Sequence, residues 1–293
     1  MTQGKLEAKE VRPGRVGIVG LGLIGGSFAK AFHEAGHEVL AQNRTRSTLE
    51  FALVETVDEE LTDDNLGTCE LVIIATYPKA AIAWLEAHAG LIGEGAIVID
   101  ACGTKRMVCA ECERVAQGRP WEFCGCHPMA GSQYSGFGYA RADLFEGAPL
   151  VMCPPDMDDF ERAAMLERLK GLLSCCGFGS ATIATPETHD RLIAYTSQLP
   201  HVISNSYVKS PTNRERVGFS GGSYRDLTRV AHMNAPMWRE LFLENADNLS
   251  DEIGSLIEGL RQVKDAIDAR DGDRLEGLLA EGDSIQRAQE ALR

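Results

Sequence analysis

Three glycines near the start of the chain have the spacing of a phosphate-binding turn. Gly20, Gly22 and Gly25 form a Gly-x-Gly-x-x-Gly pattern that follows an apolar run at 15–19 and precedes a helical pattern. In such a turn the first glycine permits the tight bend and the second lets backbone amides approach a pyrophosphate. The third allows the helix to pack closely on the strand. The pattern predicts a dinucleotide cofactor that is bound by Gly20, Gly22, Leu23, Ile24 and Gly25.

The residues after the second apolar run bear on the choice of cofactor. Enzymes that use NAD tend to carry an Asp or Glu there, about 20 residues after the glycines, to bind the ribose hydroxyls. This chain has Gln42, Asn43, Arg44 and Thr45 instead. No carboxylate would repel a 2′-phosphate, and Arg44 could pair with one. We predict NAD(P)+ binding through Asn43, Arg44, Thr45 and Thr76, with NADP+ slightly favoured over NAD+.

Alternating strand and helix patterns must position these residues. Apolar runs typical of strands lie at 15–19, 38–41, 71–75, 96–100, 122–126 and 149–153, and helical patterns lie at 27–35, 80–88 and 105–117. This alternation predicts a doubly wound, Rossmann-type parallel sheet with helices on both faces. From residue 186 onward the periodicity is helical, with a Gly/Ser-rich loop at 218–223. We therefore predict an α/β dinucleotide-binding domain at 1–185 and an all-helical domain at 186–293.

Further sequence blocks resemble those of one enzyme family. They are His-Pro-Met-Ala-Gly-Ser at 127–132, Thr-His-Asp at 188–190, Ser-Gln-Leu-Pro-His at 197–201, Gly-Ser-Tyr-Arg-Asp-Leu-Thr-Arg at 222–229 and Pro-Met-Trp at 236–238. Together with the glycine turn, they resemble the prephenate/arogenate dehydrogenases of tyrosine biosynthesis over about residues 14–240. The resemblance implies an NAD(P)-dependent oxidative decarboxylation, in which a ring carbon gives hydride to the nicotinamide and the ring carboxylate leaves as carbon dioxide. We expect prephenate to be converted to 4-hydroxyphenylpyruvate; arogenate would instead give tyrosine.

The resemblance assigns roles to residues in both halves of the chain. His127 matches the catalytic histidine, and neutral imidazole suits removal of the hydroxyl proton. Arg229 matches the arginine that holds a substrate carboxylate, for which a planar guanidinium is suited. We expect His189 and Asp190 to organise a helix start rather than to touch the substrate. The further substrate-binding candidates are His201, Arg225, Ser132 and Thr104.

The resemblance also implies a quaternary arrangement. In this family the helical domain binds the substrate with the dinucleotide domain and forms a dimer, and the active site lies in the cleft between the domains. Apolar residues at 241, 249, 253, 256, 257 and 260 recur near helical spacing. They are consistent with a helix interface, and equally with an intramolecular core. We expect a homodimer.

Three positions depart from the family pattern. Gly103 stands where the family commonly has a serine, although Thr104 offers a hydroxyl one residue later. Gln198 replaces a frequent histidine, and Gln133 replaces a frequent glutamate. These changes leave the predicted base and Arg229 in place, so we expect activity. They bear on the choice between prephenate and arogenate.

Two other interpretations fit part of the sequence. A β-hydroxyacid dehydrogenase or an imine reductase also joins a dinucleotide domain to a helical domain, and Asn43, Arg44 and Thr45 suit members that use NADP. That class does not explain the block at 127–132 or the two arginines at 222–229. A nucleotide-binding sensor is suggested by Gly103, whereas the retained His127 argues against it.

Composition excludes several classes of partner. The chain has 29 Lys and Arg against 43 Asp and Glu, which gives a formal charge of −14. A nucleic acid or an anionic membrane is therefore not expected as a partner, because both require a positive surface. No apolar run reaches the roughly 20 residues of a membrane span, and residues 1–12 lack the apolar core of a secretory signal. We expect a cytoplasmic enzyme with no fused chorismate mutase or regulatory domain.

Nine cysteines raise the question of a metal site. Cys109 and Cys112 together with Cys124 and Cys126 could supply four zinc ligands. However, the first pair lies in a helical pattern and the second in a strand pattern, rather than on knuckle turns. We expect reduced, buried thiols and no metal.

Overall fold

The computed structural model describes residues 14–132 and 134–291, so Gln133 lies outside the described residues. Its first half alternates strands with helices. The strands are β1 (Arg15–Val19), β2 (Glu38–Gln42), β3 (Glu59–Glu60), β4 (Leu71–Ile74), β5 (Ile97–Asp100), β6 (Glu122–Pro128), β7 (Pro149–Cys153) and β8 (Ser180–Ile183). The helices of this half are α1 (Leu23–Glu34), α2 (Arg46–Glu55), α3 (Pro78–His88), α4 (Arg106–Ala116) and α5 (Asp159–Leu172). The strands β3 and β8 and the helices α2 and α5 were not predicted from the sequence.

All eight strands form one sheet in the order β3-β2-β1-β4-β5-β6-β7-β8. The first six strands follow the doubly wound dinucleotide-binding order, with β1 and β4 adjacent at the point where the order reverses. The predicted doubly wound parallel sheet is confirmed, with one exception: β7 runs antiparallel to β6. The backbone N–H of Met129 donates to the carbonyl of Pro149, so β7 starts at the edge where β6 ends. A parallel strand would instead need a crossover to the opposite edge.

Apolar cores cover both faces of the sheet, as predicted. One core contains Phe28 and Phe32 of α1 together with Leu169 of α5. The other contains Leu85 of α3 and Val108 of α4. Each of these side chains is fully buried, which contributes roughly 1.5–3 kcal/mol per large apolar side chain. This burial holds the carboxyl ends of the parallel strands in a fixed arrangement.

The second half is helical, as predicted. Its elements are α6 (Pro186–Ile193), a π-helical segment (Ala194–Gln198), α7 (Leu199–Tyr207), α8 (Gly222–Thr228), α9 (Ala235–Glu244), α10 (Ala246–Asp268) and α11 (Gly272–Glu290). The Thr185 side chain accepts the backbone N–H of Thr188 and thereby caps α6. Among the described residues, no helix is both long enough and apolar enough to span a bilayer.

The apolar residues of α10 fall into two groups. Leu249, Ile253 and Leu256 pack into the core of the helical half with Leu199 of α7. In contrast, Ile257 is 59% exposed and Leu260 is 61% exposed. The remaining large exposed apolar side chains of the last two helices are Ile267, Leu279 and Ile285. The helical half therefore leaves an apolar surface uncovered in one chain.

The cysteines are distributed over both cores. Cys124 and Cys126 lie in the core under α1, whereas Cys109 and Cys112 lie in the core under α3 and α4. The sheet thus separates the two pairs that could have formed a zinc site. Within the described part of the chain, no group of three or more His, Cys, Asp or Glu side chains could hold a metal ion.

Candidate active site

The glycine turn joins β1 to α1 at the carboxyl edge of the sheet. Gly20 has φ of +93°, and a Cβ there would lie 2.8 Å from the carbonyl oxygen of Ala75 and from Cγ2 of Thr76. A Cβ on Gly25 would lie only 1.9 Å from the carbonyl oxygen of Gly20. By contrast, a Cβ on Gly22 would meet no atom within 4 Å. The first and third glycines are therefore required by packing, and the second borders open space.

The start of α1 is suited to an anion. Gly22 is the N-cap, no side chain caps the helix, and its first turn carries no acidic residue. Leu23 and Ile24 belong to that first turn, where the backbone N–H groups and the helix dipole favour a phosphate. A Cβ on Gly22 would point into open space at this turn, and its absence lets the backbone approach a pyrophosphate closely. The turn therefore fits the pyrophosphate of a dinucleotide.

The end of β2 borders the same turn. Asn43 Oδ1 accepts the backbone N–H of Leu21 at 3.0 Å, and Asn43 Nδ2 donates to the carbonyl of Thr45 at 3.0 Å. Arg44 and Thr45 are exposed. The neighbouring Arg46 is bound to Glu50 and Glu60, whereas Arg44 forms no ion pair with the described residues. Arg44 is thus the cation at this position that is available to a ligand.

His127 lies near the end of β6, at the edge that carries the glycine turn. Three strand spacings separate β6 from β1, which corresponds to about 14 Å. The Nδ1 atom of His127 lies 2.8 Å from Nε2 of His189, and Nδ1 of His189 lies 2.7 Å from Oδ1 of Asp190. Burial lowers the pKa of His127 well below its ordinary value, and nearby His189 and Lys105 lower it further. His127 is therefore neutral near pH 7.

Asp190 connects this chain of hydrogen bonds to α4. Its carboxylate accepts the backbone N–H of Lys105 at 2.7 Å and that of Arg106 at 3.0 Å. Burial raises the pKa of Asp190, but hydrogen bonds from His189 and from these two N–H groups outweigh burial and lower it. Asp190 therefore organises the start of α4, while His189 contacts the predicted base. The sequence did not indicate the second contact.

A buried ion pair supports the ends of β5 and β6. Lys105 and Asp100 are both fully buried and bind each other through Nζ and Oδ2. Asp100 also accepts the backbone N–H of Cys102 at 2.9 Å and that of Cys126 at 3.1 Å. The pair thus fixes the turn after β5 and the residue before His127. The sequence analysis did not predict this pair; the Asp-x-x-x-x-Lys spacing at the end of a strand is the signal that could have indicated it.

Contacts with residues of the helical half occupy the departures at 103 and 198. A Cβ on Gly103 would lie 3.4 Å from both Cδ atoms of Leu241, so α9 packs against this turn. Thr104 is buried, and its hydroxyl donates to Oε2 of Glu244 at 2.7 Å. Gln198 is also buried; its Nε2 donates to the carbonyl of Leu241, and its Oε1 accepts from Asn245. Its amide is bound within the helical half.

The remaining substrate candidates fall into two places. His201 packs against Trp238 with ring centroids 4.1 Å apart and ring planes tilted by 35°, and its Nδ1 lies 2.8 Å from the carbonyl oxygen of Ser197. Burial lowers the pKa of His201, the hydrogen bond with the Ser197 backbone raises it, and the charge of Arg229 lowers it. Arg229 and Arg225 are both exposed, at the end of α8 and one turn earlier. Ser132 is exposed after β6, and its hydroxyl oxygen accepts the backbone N–H of Tyr134.

Comparisons with known proteins agree over both halves. Residues 28–177 match the family model described as prephenate dehydrogenase, nucleotide-binding domain, and residues 185–281 match prephenate dehydrogenase, dimerization domain. A prephenate dehydrogenase of Bacillus subtilis (strain 168) is 30% identical over 270 residues, which cover 88% of this chain and 71% of that protein.

Solved structures show the same relationship. Prephenate dehydrogenase from A. aeolicus, in complex with hydroxyphenyl propionate and NAD+, superposes with a TM-score of 0.81 at 25% identity, covering 96% of this chain and 99% of that one. Arogenate dehydrogenase from Synechocystis gives a TM-score of 0.76 at 26% identity, covering 94% and 99%. Since both domain models match in order and the fold agrees over almost the whole length, the chain is an oxidoreductase that belongs to the prephenate dehydrogenase family.

Proposed function

We propose that this chain oxidises prephenate to 4-hydroxyphenylpyruvate and carbon dioxide, with NAD(P)+ as the cofactor and His127 as the proton acceptor. The position of His127 carries the proposal. Its Nδ1 is bound to His189, its Nε2 has no hydrogen-bond partner among residues 14–132 and 134–291, and its ring is partly exposed. A neutral imidazole nitrogen without a partner thus lies near the sheet edge that carries the glycine turn.

The balance of the reaction defines what His127 must do. The prephenate dianion and NAD(P)+ give the 4-hydroxyphenylpyruvate anion, carbon dioxide and the reduced cofactor, with no net release of a proton. When bound, NAD(P)+ supplies the hydride acceptor. His127 takes the hydroxyl proton as the carbinol carbon is oxidised, and it returns the proton to the phenolate oxygen after the carboxylate leaves. The imidazolium is therefore transient.

The charge distribution supports a dianionic substrate. Residues 209–239 contain six Lys and Arg and only two Asp and Glu, in a chain whose formal charge is −14. We propose that Arg229 holds a substrate carboxylate, with Arg225 one turn away and His201 near the side chain. Ser132 retains its hydroxyl hydrogen for a ligand, because its oxygen is the acceptor for Tyr134. Thr104 would bind substrate only if its hydroxyl left Glu244.

The same proposal covers cofactor choice, assembly and location. Exposed Arg44 and the absence of a carboxylate at 42–45 favour NADP+ slightly over NAD+.

The apolar surface that includes Ile257 and Leu260, together with the match to a dimerization domain, supports a homodimer. Light scattering should give twice the mass of one chain, and a monomer would contradict this part. Eight buried thiols suit a reducing compartment, so we place the enzyme in the cytoplasm.

Arogenate is the second candidate substrate, and His201 is the observation that favours it. A carbonyl oxygen can only accept, so His201 Nδ1 donates to Ser197 and the neutral ring leaves Nε2 as an acceptor. An acceptor suits the ammonium group of arogenate better than the keto group of prephenate. Rates with the two substrates, measured side by side, decide between them.

The role of His127 is tested by His127→Asn. We expect kcat to fall about 10²- to 10⁴-fold, the usual contribution of a general base. His33→Asn is the matched control because His33 is exposed on α1. It should leave kcat unchanged. Near-normal turnover by folded His127→Asn protein would remove His127 from this role.

A further inference from the structure

We propose that His189 and Asp190 are positioning residues that fix the tautomer of His127, so that Nδ1 carries the hydrogen and Nε2 carries the lone pair. The importance of this tautomer for turnover rests on the proposed function. The tautomer itself is a property of the protein without substrate, so it can be measured independently of any reaction.

The hydrogen positions follow from one end of the chain of hydrogen bonds. Asp190 is ionised and can only accept, so the hydrogen between Oδ1 and His189 Nδ1 belongs to His189. A neutral His189 then has a bare Nε2. That atom lies 2.8 Å from Nδ1 of His127, so the hydrogen in this second bond belongs to His127. The remaining nitrogen of His127, Nε2, is left without a hydrogen.

The opposite arrangement requires a charged His189. A doubly protonated His189 would donate to both partners, and His127 would then carry its hydrogen on Nε2, where it could not accept a proton. Burial lowers the pKa of His189, and so does the nearby ammonium of Lys105. The hydrogen bond with Asp190 raises the pKa of His189, but burial outweighs it. His189 is therefore neutral near pH 7.

Surrounding contacts hold the two positioning residues rigidly. Asp190 and His189 are both buried, and Asp190 is bound by the backbone at the start of α4. The Arg106 side chain approaches Asp190 with its Nε and binds Asn245 and Asp247 with its two terminal nitrogens. The hydrogen-bond partners of His127 are thereby fixed before a substrate arrives, as in metal sites where outer contacts set the histidine tautomer.

The arrangement also bears on the charged form of His127. When Nε2 takes the hydroxyl proton, Nδ1 of His127 still donates to Nε2 of His189. The transient imidazolium thus keeps this hydrogen bond in a site that disfavours its charge through burial, His189 and Lys105. Loss of His189 should therefore lower kcat more than it raises KM.

The direct test is histidine ¹⁵N NMR on the unliganded enzyme at about pH 8, where neutral histidine predominates. The chain has seven histidines, and the His127→Asn variant identifies the His127 signals by their loss. We expect the Nδ1–H tautomer for His127 and for His189 in the wild-type protein. A wild-type His127 with its hydrogen on Nε2 would overturn the inference, whatever the enzyme turns over.

Kinetics of two variants provide the second test. His189→Leu removes the acceptor, and we expect a fall in kcat of about 10- to 100-fold, with KM changed less than about threefold. His189→Gln offers an amide oxygen to Nδ1 of His127 and should recover most of kcat. Equal loss of kcat in both folded variants would refute the positioning role.

The outcomes separate this inference from the proposed function. The expected tautomer in a protein that oxidises neither prephenate nor arogenate would uphold the inference and overturn the proposed function. Normal turnover by a protein in which His127 carries its hydrogen on Nε2 would overturn the inference and uphold the proposed reaction. If His189→Leu does not fold, the wild-type tautomer and His189→Gln still decide the question.

Discussion

Replacing Gly22 with alanine should separate folding from cofactor binding. Its backbone has φ of −82°, which alanine adopts readily, and the added Cβ would meet no protein atom within 4 Å. Gly22→Ala should therefore raise the free energy of unfolding by about 0.4–1 kcal/mol, because alanine restricts the unfolded chain. The same methyl group would lie in the space that a pyrophosphate must occupy to reach the start of α1.

The loss in binding can be estimated from the contacts that the methyl group blocks. A hydrogen bond to a charged group contributes about 1.5–3 kcal/mol. Loss of one such bond between backbone and phosphate corresponds to about a 10- to 100-fold rise in the Kd for the cofactor. Isothermal titration of NAD+ and NADP+ measures the affinity, and urea unfolding measures the stability.

Two further glycines provide matched controls. Gly254→Ala lies on the exposed side of α10 with open space around it, so it should stabilise the helix by about 1 kcal/mol and leave the Kd unchanged. Gly25→Ala would place Cβ 1.9 Å from the carbonyl oxygen of Gly20 and should destabilise the fold by about 1–3 kcal/mol. A Gly22→Ala protein that binds both cofactors as tightly as the wild type would refute the assignment of this turn to the pyrophosphate.

Three further predictions concern charge. Arg44→Ser should raise the KM for NADP+ about tenfold or more, because one charge-assisted contact to the 2′-phosphate is lost, and should leave the KM for NAD+ within about twofold. Equal effects on both cofactors would contradict the pairing of Arg44 with the 2′-phosphate. Lys105→Met should lower the free energy of unfolding, measured by urea titration, by about 3–5 kcal/mol, because Asp100 is left buried without its cation. The control Lys264→Met, on the surface, should lower it by less than about 1 kcal/mol. Because the pKa of His127 is lowered, protonation should inactivate the base only below the ordinary histidine pKa of 6.5. We therefore expect kcat/KM to stay level from pH 8 to 6.5 and to fall at lower pH. A fall that begins above pH 6.5 would show that the base is not held neutral.

Local sequence patterns were sufficient to predict most of the sheet. The glycine turn and the strand before His127 were predicted correctly because apolar runs and turn residues determine the local structure of the residues next to them in the chain. The antiparallel direction of β7 was not found, because it depends on how the connection between β6 and β7 returns along the sheet edge. A single apolar run carries no information on strand direction.

Contacts between distant residues account for the other differences. His127 meets His189 across 62 positions of the chain, and Asp190 meets Lys105 across 85. Residue types at such separations form no local pattern, so only the family block that contains His189 and Asp190 could be recognised from the sequence. Gln198 shows the same limit: the sequence marked it only as a departure from the family pattern, and its contacts with Leu241 and Asn245 inside the helical half could not be predicted.

The most direct test is an initial-rate assay of the purified enzyme in four combinations. Prephenate or arogenate would be supplied with NAD+ or NADP+, and both the reduced nicotinamide and the aromatic product would be followed. We predict turnover with prephenate, formation of 4-hydroxyphenylpyruvate in step with the reduced cofactor, and a slight preference for NADP+. Turnover with arogenate alone would replace the substrate. No turnover in any combination, from folded protein that binds the cofactor, would contradict the proposed reaction.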